Sequence, residues 1–138
     1  VLSDLLLARP EIVVGLPVCE LGAGLGLCSI IASRLGAASV LCSDGSEEAV
    51  QNCAENLRIN GVAGAVQAAV VKWEDPPKLV ATAPLASTTE QGASKASAGA
   101  TASAAALWGA EVLLATDVVY DVPAAEALAD LLGQLFRQ

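Results

Sequence analysis

The sequence contains no histidine and few basic or aromatic residues, and these absences exclude several kinds of function. Without histidine, serine–histidine and cysteine–histidine catalysis and metal binding through imidazole are excluded, and we predict no metal site. The chain has seven basic and 15 acidic residues, a net charge of −8. It therefore lacks the basic surface that binds nucleic-acid phosphates, and we predict no nucleic-acid partner. A basic protein partner is compatible with this charge.

The sequence also lacks a C-x-x-C pair and any long apolar run. No apolar run is long enough to span a membrane, and no signal-peptide pattern is found, so we expect no membrane partner. The cysteines fall within apolar strands or on helices, so we predict buried, reduced thiols and a reducing compartment, the cytoplasm or the nucleus. These cysteines are Cys19, Cys28, Cys42 and Cys53.

What the chain does contain is aliphatic: 54% of its 138 residues are hydrophobic, enough for one domain over residues 1–138. Apolar strands alternate with amphipathic helices, which predicts an α/β fold with a parallel sheet and helices on both faces. The predicted strands cover 18–21, 39–43, 65–72 and 111–116. The predicted helices cover 1–8, 25–35 and 47–59, and a last one opens near Pro123.

One stretch, residues 81–106, departs from this pattern. Its letters are nearly all Ala, Ser, Thr and Gly, and no apolar periodicity is sustained. Such a segment buries too little apolar surface to offset its ordering entropy, so we predict a disordered, low-complexity insertion. An alanine-rich helix near its end is the alternative.

The stretch Val18–Ile31, V-C-E-L-G-A-G-L-G-L-C-S-I-I, predicts a strand, a turn and a helix. Its turn passes through Gly22, Gly24 and Gly26, which allows a sharp bend and the close approach of a ligand to free N–H groups. A dinucleotide fingerprint would place its third glycine at Leu27, so a nicotinamide-type site is disfavoured. A tight turn without any ligand remains an alternative.

Polar or aromatic residues end the next two predicted strands. Asp44 lies 22 residues after Gly22, where an acidic side chain can accept hydrogen bonds from ribose hydroxyls. It could instead cap the following helix together with Ser46. Trp73 ends the third strand and could pack against a flat base, or it could simply cover the apolar edge of the sheet.

Four motifs in this order resemble class I S-adenosylmethionine-dependent methyltransferases. They are E-L-G-A-G-L-G, S-D, V-x-W-E-D and A-T-D-V-V-Y-D, each at the end of a predicted strand. The last one resembles the D-x-x-Y element of the protein-lysine methyltransferase branch. The resemblance implies a Rossmann-like class I methyltransferase fold, of which this chain supplies four of seven strands. We therefore expect a partial domain, truncated after the fourth strand and part of a longer protein.

Carried over residue by residue, the resemblance implies two groups of site residues. The cofactor S-adenosylmethionine would be bound at its methionine end by Glu20, Gly22, Gly24 and Gly26, at its ribose by Asp44, and at its adenine by Trp73 with Glu74 or Asp75. The catalytic pair would be Asp117 and Tyr120. The bland alternative has Asp117 capping a turn and Tyr120 packing under the last helix.

The function that the resemblance implies is methyl transfer to a lysine side chain of a protein substrate. Two alternatives remain: a non-catalytic interaction module with a decayed methyltransferase fold, and a methyltransferase that acts on small molecules. The sequence leaves the identity of the substrate, the number of methyl groups and the oligomeric state open.

Overall fold

The computed structural model describes residues 1–77 and 95–137. Five helices and four strands alternate along these two ranges, and a short 3-10 turn, Pro10–Ile12, follows the first helix. The helices are α1 Leu2–Ala8, α2 Leu27–Arg34, α3 Glu47–Ile59, α4 Lys95–Trp108 and α5 Val122–Leu135. The strands are β1 Pro17–Leu21, β2 Ser39–Asp44, β3 Val66–Val70 and β4 Val112–Ala115.

The strands form one parallel sheet in the order β3-β2-β1-β4. Strand β1 lies inside the sheet, so Glu20 is opposite Cys42 on one side and Leu114 on the other. The inner strands are nearly continuous apolar runs because both of their faces are covered. The predicted parallel sheet is confirmed. All strands present their carboxyl ends at the same edge, which is where the candidate site lies.

Side-chain alternation along β1 divides the core into two clusters. Val18 points into the cluster that contains Leu6 of α1, Ile30 of α2 and Leu57 of α3. Cys19, one residue later, belongs to the cluster on the opposite face with Leu107 of α4 and with Leu131 of α5. Helices therefore cover both faces of the sheet, as predicted, and both clusters are closed by aliphatic side chains.

The prediction of disorder is wrong for residues 95–106, since they belong to α4. Residues 81–94 lie outside the described part of the chain. Ala104 and Leu107 of α4 are buried to 2% and 0% exposure against the sheet. Small side chains let the backbone of α4 lie close to the sheet, so large apolar residues are not needed at every turn. The sequence of this helix therefore has no strong apolar periodicity.

Two side-chain hydrogen bonds attach α4 to the end of the sheet that carries β3. Gln67 Nε2 donates to Ser103 Oγ at 2.7 Å, and the Trp108 indole donates to the Pro77 carbonyl at 2.6 Å. These polar contacts fix the position of a helix that contributes few large side chains. Its place in the fold was therefore hidden from an apolar-pattern argument.

The four cysteines are buried free thiols, as predicted. Burial raises the pKa of Cys19 to about 12 and that of Cys28 to about 11. Sγ of Cys42 on β2 lies 2.7 Å from Sγ of Cys53 on α3, directly beneath the glycine-rich turn. Across residues 1–77 and 95–137, no helix is both long and apolar enough to cross a membrane.

Candidate functional site

The turn between β1 and α2 depends on glycines in the left-handed backbone region. Gly22 has φ +64° and Gly26 has φ +79°. A Cβ at Gly22 would lie 2.7 Å from Val118 Cγ1 and 3.5 Å from Trp73 Cζ2, so the backbone there is in close contact with the segments after β3 and β4. A Cβ at Gly26 would instead meet Cys53 Sγ at 2.5 Å. The first glycine thus faces the site, and the last one faces the core.

Asp44, the last residue of β2, connects this turn to the start of α3. Its Oδ2 accepts the Gly24 N–H at 3.0 Å, and its Oδ1 accepts the Ser46 N–H at 2.9 Å. Ser46 Oγ itself caps α3 by accepting the Ala49 N–H. The predicted helix cap is therefore present at Ser46, and two backbone N–H groups hold Asp44 in a fixed orientation with lone pairs left over.

Glu20 is buried at 3% exposure rather than open to the cavity. Its Oε2 accepts the Ser29 N–H at 2.8 Å and the Ser29 hydroxyl at 2.6 Å, which joins β1 to the first turn of α2. Burial raises the pKa of this carboxyl, while the two hydrogen bonds from Ser29 and one from Cys28 act in the opposite direction. In the structure Glu20 thus contacts the start of α2. The only sign of this contact in the sequence is Ser29, the third residue of that helix.

The raised pKa of Glu20 makes the stability of the chain depend on pH. The folded chain binds this proton more tightly than the unfolded chain, so the free energy of unfolding falls as pH rises from the usual carboxyl pKa of 4.5 through the raised value. For this single proton the slope cannot exceed about 1.4 kcal/mol per pH unit. We expect the stability of Glu20→Gln, relative to the parent chain, to improve steadily with pH across that window, as measured by urea unfolding.

The matched control for this prediction is Glu111→Gln, which changes an exposed carboxylate. The thiols of Cys28, Cys42 and Cys53 near Glu20 have raised pKa values and stay uncharged in the same window. Equal pH dependence of Glu20→Gln and the parent chain would show that this carboxyl is not the group that titrates.

One cavity of about 790 Å³ opens at the carboxyl edge of the sheet. Its volume lies in the range of small-molecule and cofactor sites, and its location is where open α/β sheets bind ligands. The lining includes predicted site residues from four separate chain segments. They are Gly22 after β1, Asp44 at the end of β2, Trp73 after β3, and Asp117 and Tyr120 after β4.

Trp73 lines this cavity and also packs on the apolar cluster that includes Leu107 and Leu131. Its two predicted roles, packing at the sheet and facing a ligand, are therefore compatible. Within the described residues, its buried indole Nε1 has no hydrogen-bond partner. A buried N–H without an acceptor is costly, and because this nitrogen is buried, it is not open to a ligand in the cavity.

The structure leaves four of the predicted cofactor residues outside the cavity lining. Glu20 is bonded to Ser29, Gly24 donates its N–H to Asp44, and Gly26 packs on the cysteine pair. Asp75 is turned away by a tight turn in which its N–H donates to the Lys72 carbonyl at 3.2 Å. Glu74, the other acidic residue considered for the adenine end, does line the cavity.

Asp117 and Tyr120 follow β4 in an irregular segment. Asp117 has φ +56°, a left-handed conformation that aspartate tolerates better than most residues. Tyr120 is 80% exposed, so it does not pack under α5. The cap of α5 is Asp121, whose Oδ1 accepts the Ala124 N–H at 2.7 Å. Asp121 was not predicted as this cap from the sequence, although D-V-P is a recognisable helix start.

This parallel sheet, with a glycine-rich turn after β1 and an acidic residue after β2 at one cavity, defines a class I S-adenosylmethionine-dependent methyltransferase fold. The chain belongs to the ribosomal protein L11 methyltransferase (PrmA) family, which it matches over residues 11–85. S-adenosylmethionine is the cofactor that this family implies, as the sequence predicted.

A solved structure supports the fold over almost the whole chain. The magnesium protoporphyrin IX methyltransferase ChlM from Synechocystis PCC 6803, with bound SAH, aligns with a TM-score of 0.58 over 97% of this chain and 48% of that chain. The sequence identity is 19%, so this likeness concerns the fold alone.

Curated relatives match shorter stretches at higher identity. The ribosomal protein L11 methyltransferase of Citrifermentans bemidjiense is 43% identical over 61 residues, which is 44% of this chain and 20% of that protein. Protein-lysine N-methyltransferase EFM3 of Chaetomium thermophilum is 41% identical over 59 residues, 41% of this chain and 18% of that protein. The chain spans about a fifth of the length of these relatives.

The residues at the cavity fit S-adenosylmethionine in three respects. Asp44 offers oriented carboxylate oxygens to hydroxyl donors, and Trp73 offers a flat ring. Gly22 leaves no side chain at the closest approach of the turn. In addition, the charged residues of the lining are four carboxylates and one amine, which suits a cofactor that carries a sulfonium cation.

Proposed function

We propose that this chain is the cofactor-binding part of a methyltransferase that modifies a lysine side chain of a protein substrate. The observation that carries this proposal is the presence of Asp117 in the same cavity as Asp44 and Trp73. A carboxylate at the end of β4 can hold an incoming amine beside the cofactor pocket. The protein substrates and lysine specificity in the names of two relatives, the L11 methyltransferases and EFM3, support this choice.

In this proposal the residues at the cavity divide the work of binding. Asp44 accepts hydrogen bonds from the ribose hydroxyls, Trp73 contacts the adenine, and the turn at Gly22 leaves room for the methionine end. Gly24, Gly26, Glu20 and Ser29 hold that turn in shape. Near the adenine we favour Glu74 over Asp75, because Glu74 lines the cavity. S-adenosylmethionine supplies an electrophilic methyl group on its sulfonium sulfur.

The amine must lose its proton before it can act as a nucleophile. A lysine with an ordinary pKa of about 10.4 requires roughly 4–5 kcal/mol for this at neutral pH. Asp117 would orient the amine by accepting one of its N–H hydrogens and would help the extra proton of the ammonium pass to water. Tyr120 would form an aromatic wall at the mouth of the cavity. Positioning of the nucleophile supplies most of the rate enhancement in such a transfer.

The test is methyl transfer to synthetic lysine peptides, with product detected by mass spectrometry. We expect Asp117→Asn to lower kcat by about 100-fold, the scale of a positioned acid–base group. Its affinity for S-adenosylmethionine, measured by calorimetry, should change less than threefold, about 0.7 kcal/mol. Asp130→Asn, which alters an exposed carboxylate on α5 outside the cavity, is the matched control.

Three results would contradict the proposal. Wild-type kcat in Asp117→Asn would remove Asp117 from the reaction. Cofactor binding without methylation of any amine would favour the non-catalytic module, and methylation of small amines alone would favour a small-molecule substrate. We also infer a reducing compartment, the cytoplasm or the nucleus, which the four free thiols support.

A further inference from the structure

A second concave surface adjoins the cavity and is not explained by cofactor binding. This groove is formed by the segment before α5 and by the first turns of that helix. Its lining is Val119, Tyr120, Asp121, Val122, Ala125, Glu126 and Ala129. Tyr120 and Asp121 line both the groove and the cavity, so the two are continuous.

The groove exposes apolar side chains that a solvated helix face does not need. Val119 is 60% exposed and Val122 is 69% exposed. On α5, Val122, Ala125 and Ala129 recur at intervals of three and four residues, so they share one face of the helix. The buried face of the same helix carries Leu128 and Leu131 instead. Val122, Ala125 and Ala129 therefore form a partly exposed apolar strip along α5, beside its buried face.

The charged residues that line the groove itself, Asp121 and Glu126, are both acidic. The cavity and the groove together are lined by five carboxylates and one amine: Asp44, Glu74, Asp117, Asp121 and Glu126 with Lys72. An apolar strip bordered by carboxylates complements a chain segment that carries an apolar side chain next to basic ones. A nucleic acid or an acidic segment would be repelled by the same charges.

We propose that this groove docks the substrate polypeptide through an apolar side chain within a few residues of the target lysine, in a segment of basic character. The proposal rests on the proposed function, because the lysine is assumed to enter the adjoining cavity beside Asp117. Val119 and Val122 would contact the apolar side chain, and Glu126 would face the basic ones. The groove therefore predicts the local sequence of the substrate: an apolar residue near the target lysine, with basic residues beside it.

The test uses three synthetic peptides of equal length and the full chain. The first carries a central lysine, flanking arginines and a leucine two residues from the lysine. In the second, serine replaces the leucine, and in the third, glutamate replaces the arginines. We expect the first to bind about tenfold more tightly than the second in fluorescence anisotropy, the scale of burying one aliphatic side chain. The third should bind weakest.

The double variant Val119→Ser/Val122→Ser should bind the first peptide about tenfold more weakly and should no longer distinguish it from the second. Ile59→Ser, which removes an equally exposed aliphatic side chain from the end of α3, is the control and should bind like the parent chain. Melting temperatures should verify that each variant is folded.

Three outcomes would overturn the docking proposal: equal affinity for the first two peptides, no effect of the valine double variant, or no binding of any peptide at millimolar concentration. Light scattering distinguishes the other occupant, because loss of a dimer in the double variant would assign the groove to a second copy of this chain. Methylation of the first two peptides with equal KM would reject docking and retain the proposed function. Peptide binding that depends on the groove, without methylation, would retain docking and reject the proposed function.

Discussion

Asp44→Ala is expected to weaken the binding of S-adenosylmethionine by about 100-fold. The carboxylate offers charge-assisted hydrogen bonds, each contributing about 1.5–3 kcal/mol, and it also holds the N–H groups of Gly24 and Ser46. Loss of about 3 kcal/mol corresponds to about 100-fold in the dissociation constant. Calorimetric titration of the cofactor into the full chain measures this directly, with NADH as a ligand that should not bind.

Two variants separate the ligand role of Asp44 from its structural role. Asp44→Asn keeps one acceptor oxygen for Gly24, so a loss of about tenfold is expected. Ser46→Ala removes the cap of α3, at a cost of about 1 kcal/mol in the free energy of unfolding, but leaves the Asp44 carboxylate in place. Its cofactor affinity should equal that of the parent chain. Parent-like affinity in Asp44→Ala would remove this residue from the site.

Gly26→Ala is expected to cost about 3–5 kcal/mol of stability, whereas Gly24→Ala should cost about 1–2 kcal/mol. Both glycines have positive φ, +79° and +54°, so both substitutions carry the same kind of backbone strain. The Cβ at Gly26 would meet Cys53 Sγ at 2.5 Å and Cys42 Sγ at 3.3 Å. Among residues 1–77 and 95–137, nothing lies within 4 Å of a Cβ at Gly24. Urea unfolding of the two variants isolates the steric part.

The double variant Gly26→Ala/Cys53→Ala tests the cause of that difference. Removal of Cys53 Sγ opens space for the new methyl group, so the two substitutions should be less destabilising together than the sum of their separate effects. Equal costs for Gly24→Ala and Gly26→Ala, or strict additivity in the double variant, would show that the contact with Cys53 does not limit the turn.

The glycine motif illustrates how far a sequence pattern reaches. The pattern located the turn, the strand before it and the helix after it, because glycine spacing and apolar runs are local properties. It treated Gly22, Gly24 and Gly26 as equivalent residues at the cofactor. The structure separates them, because a residue's surroundings depend on which distant segments pack against it. Val118 lies against the first glycine, and Cys53 lies beneath the third.

Acidic residues show the same division. The resemblance to methyltransferases implied Glu20, Asp44, Asp75 and Asp117, and a motif gives no information about side-chain partners. In the fold, Glu20 bonds to Ser29, Asp44 bridges two backbone N–H groups, and Glu74 takes the cavity position considered for Asp75. The role of each acidic side chain therefore depends on the groups that the fold places beside it.

By itself, the sequence determined the class of fold, the order of its strands and helices apart from α4, the buried thiols and the cofactor class, since all of these follow from local periodicity and short motifs. Only the tertiary structure decided that residues from Lys95 form a helix, because small residues form a stable helix here by packing close to a sheet. It also decided which strand-end residues share one cavity. It further revealed the apolar strip of Val122, Ala125 and Ala129 on α5. These features depend on contacts between segments far apart in the chain, which no local pattern encodes.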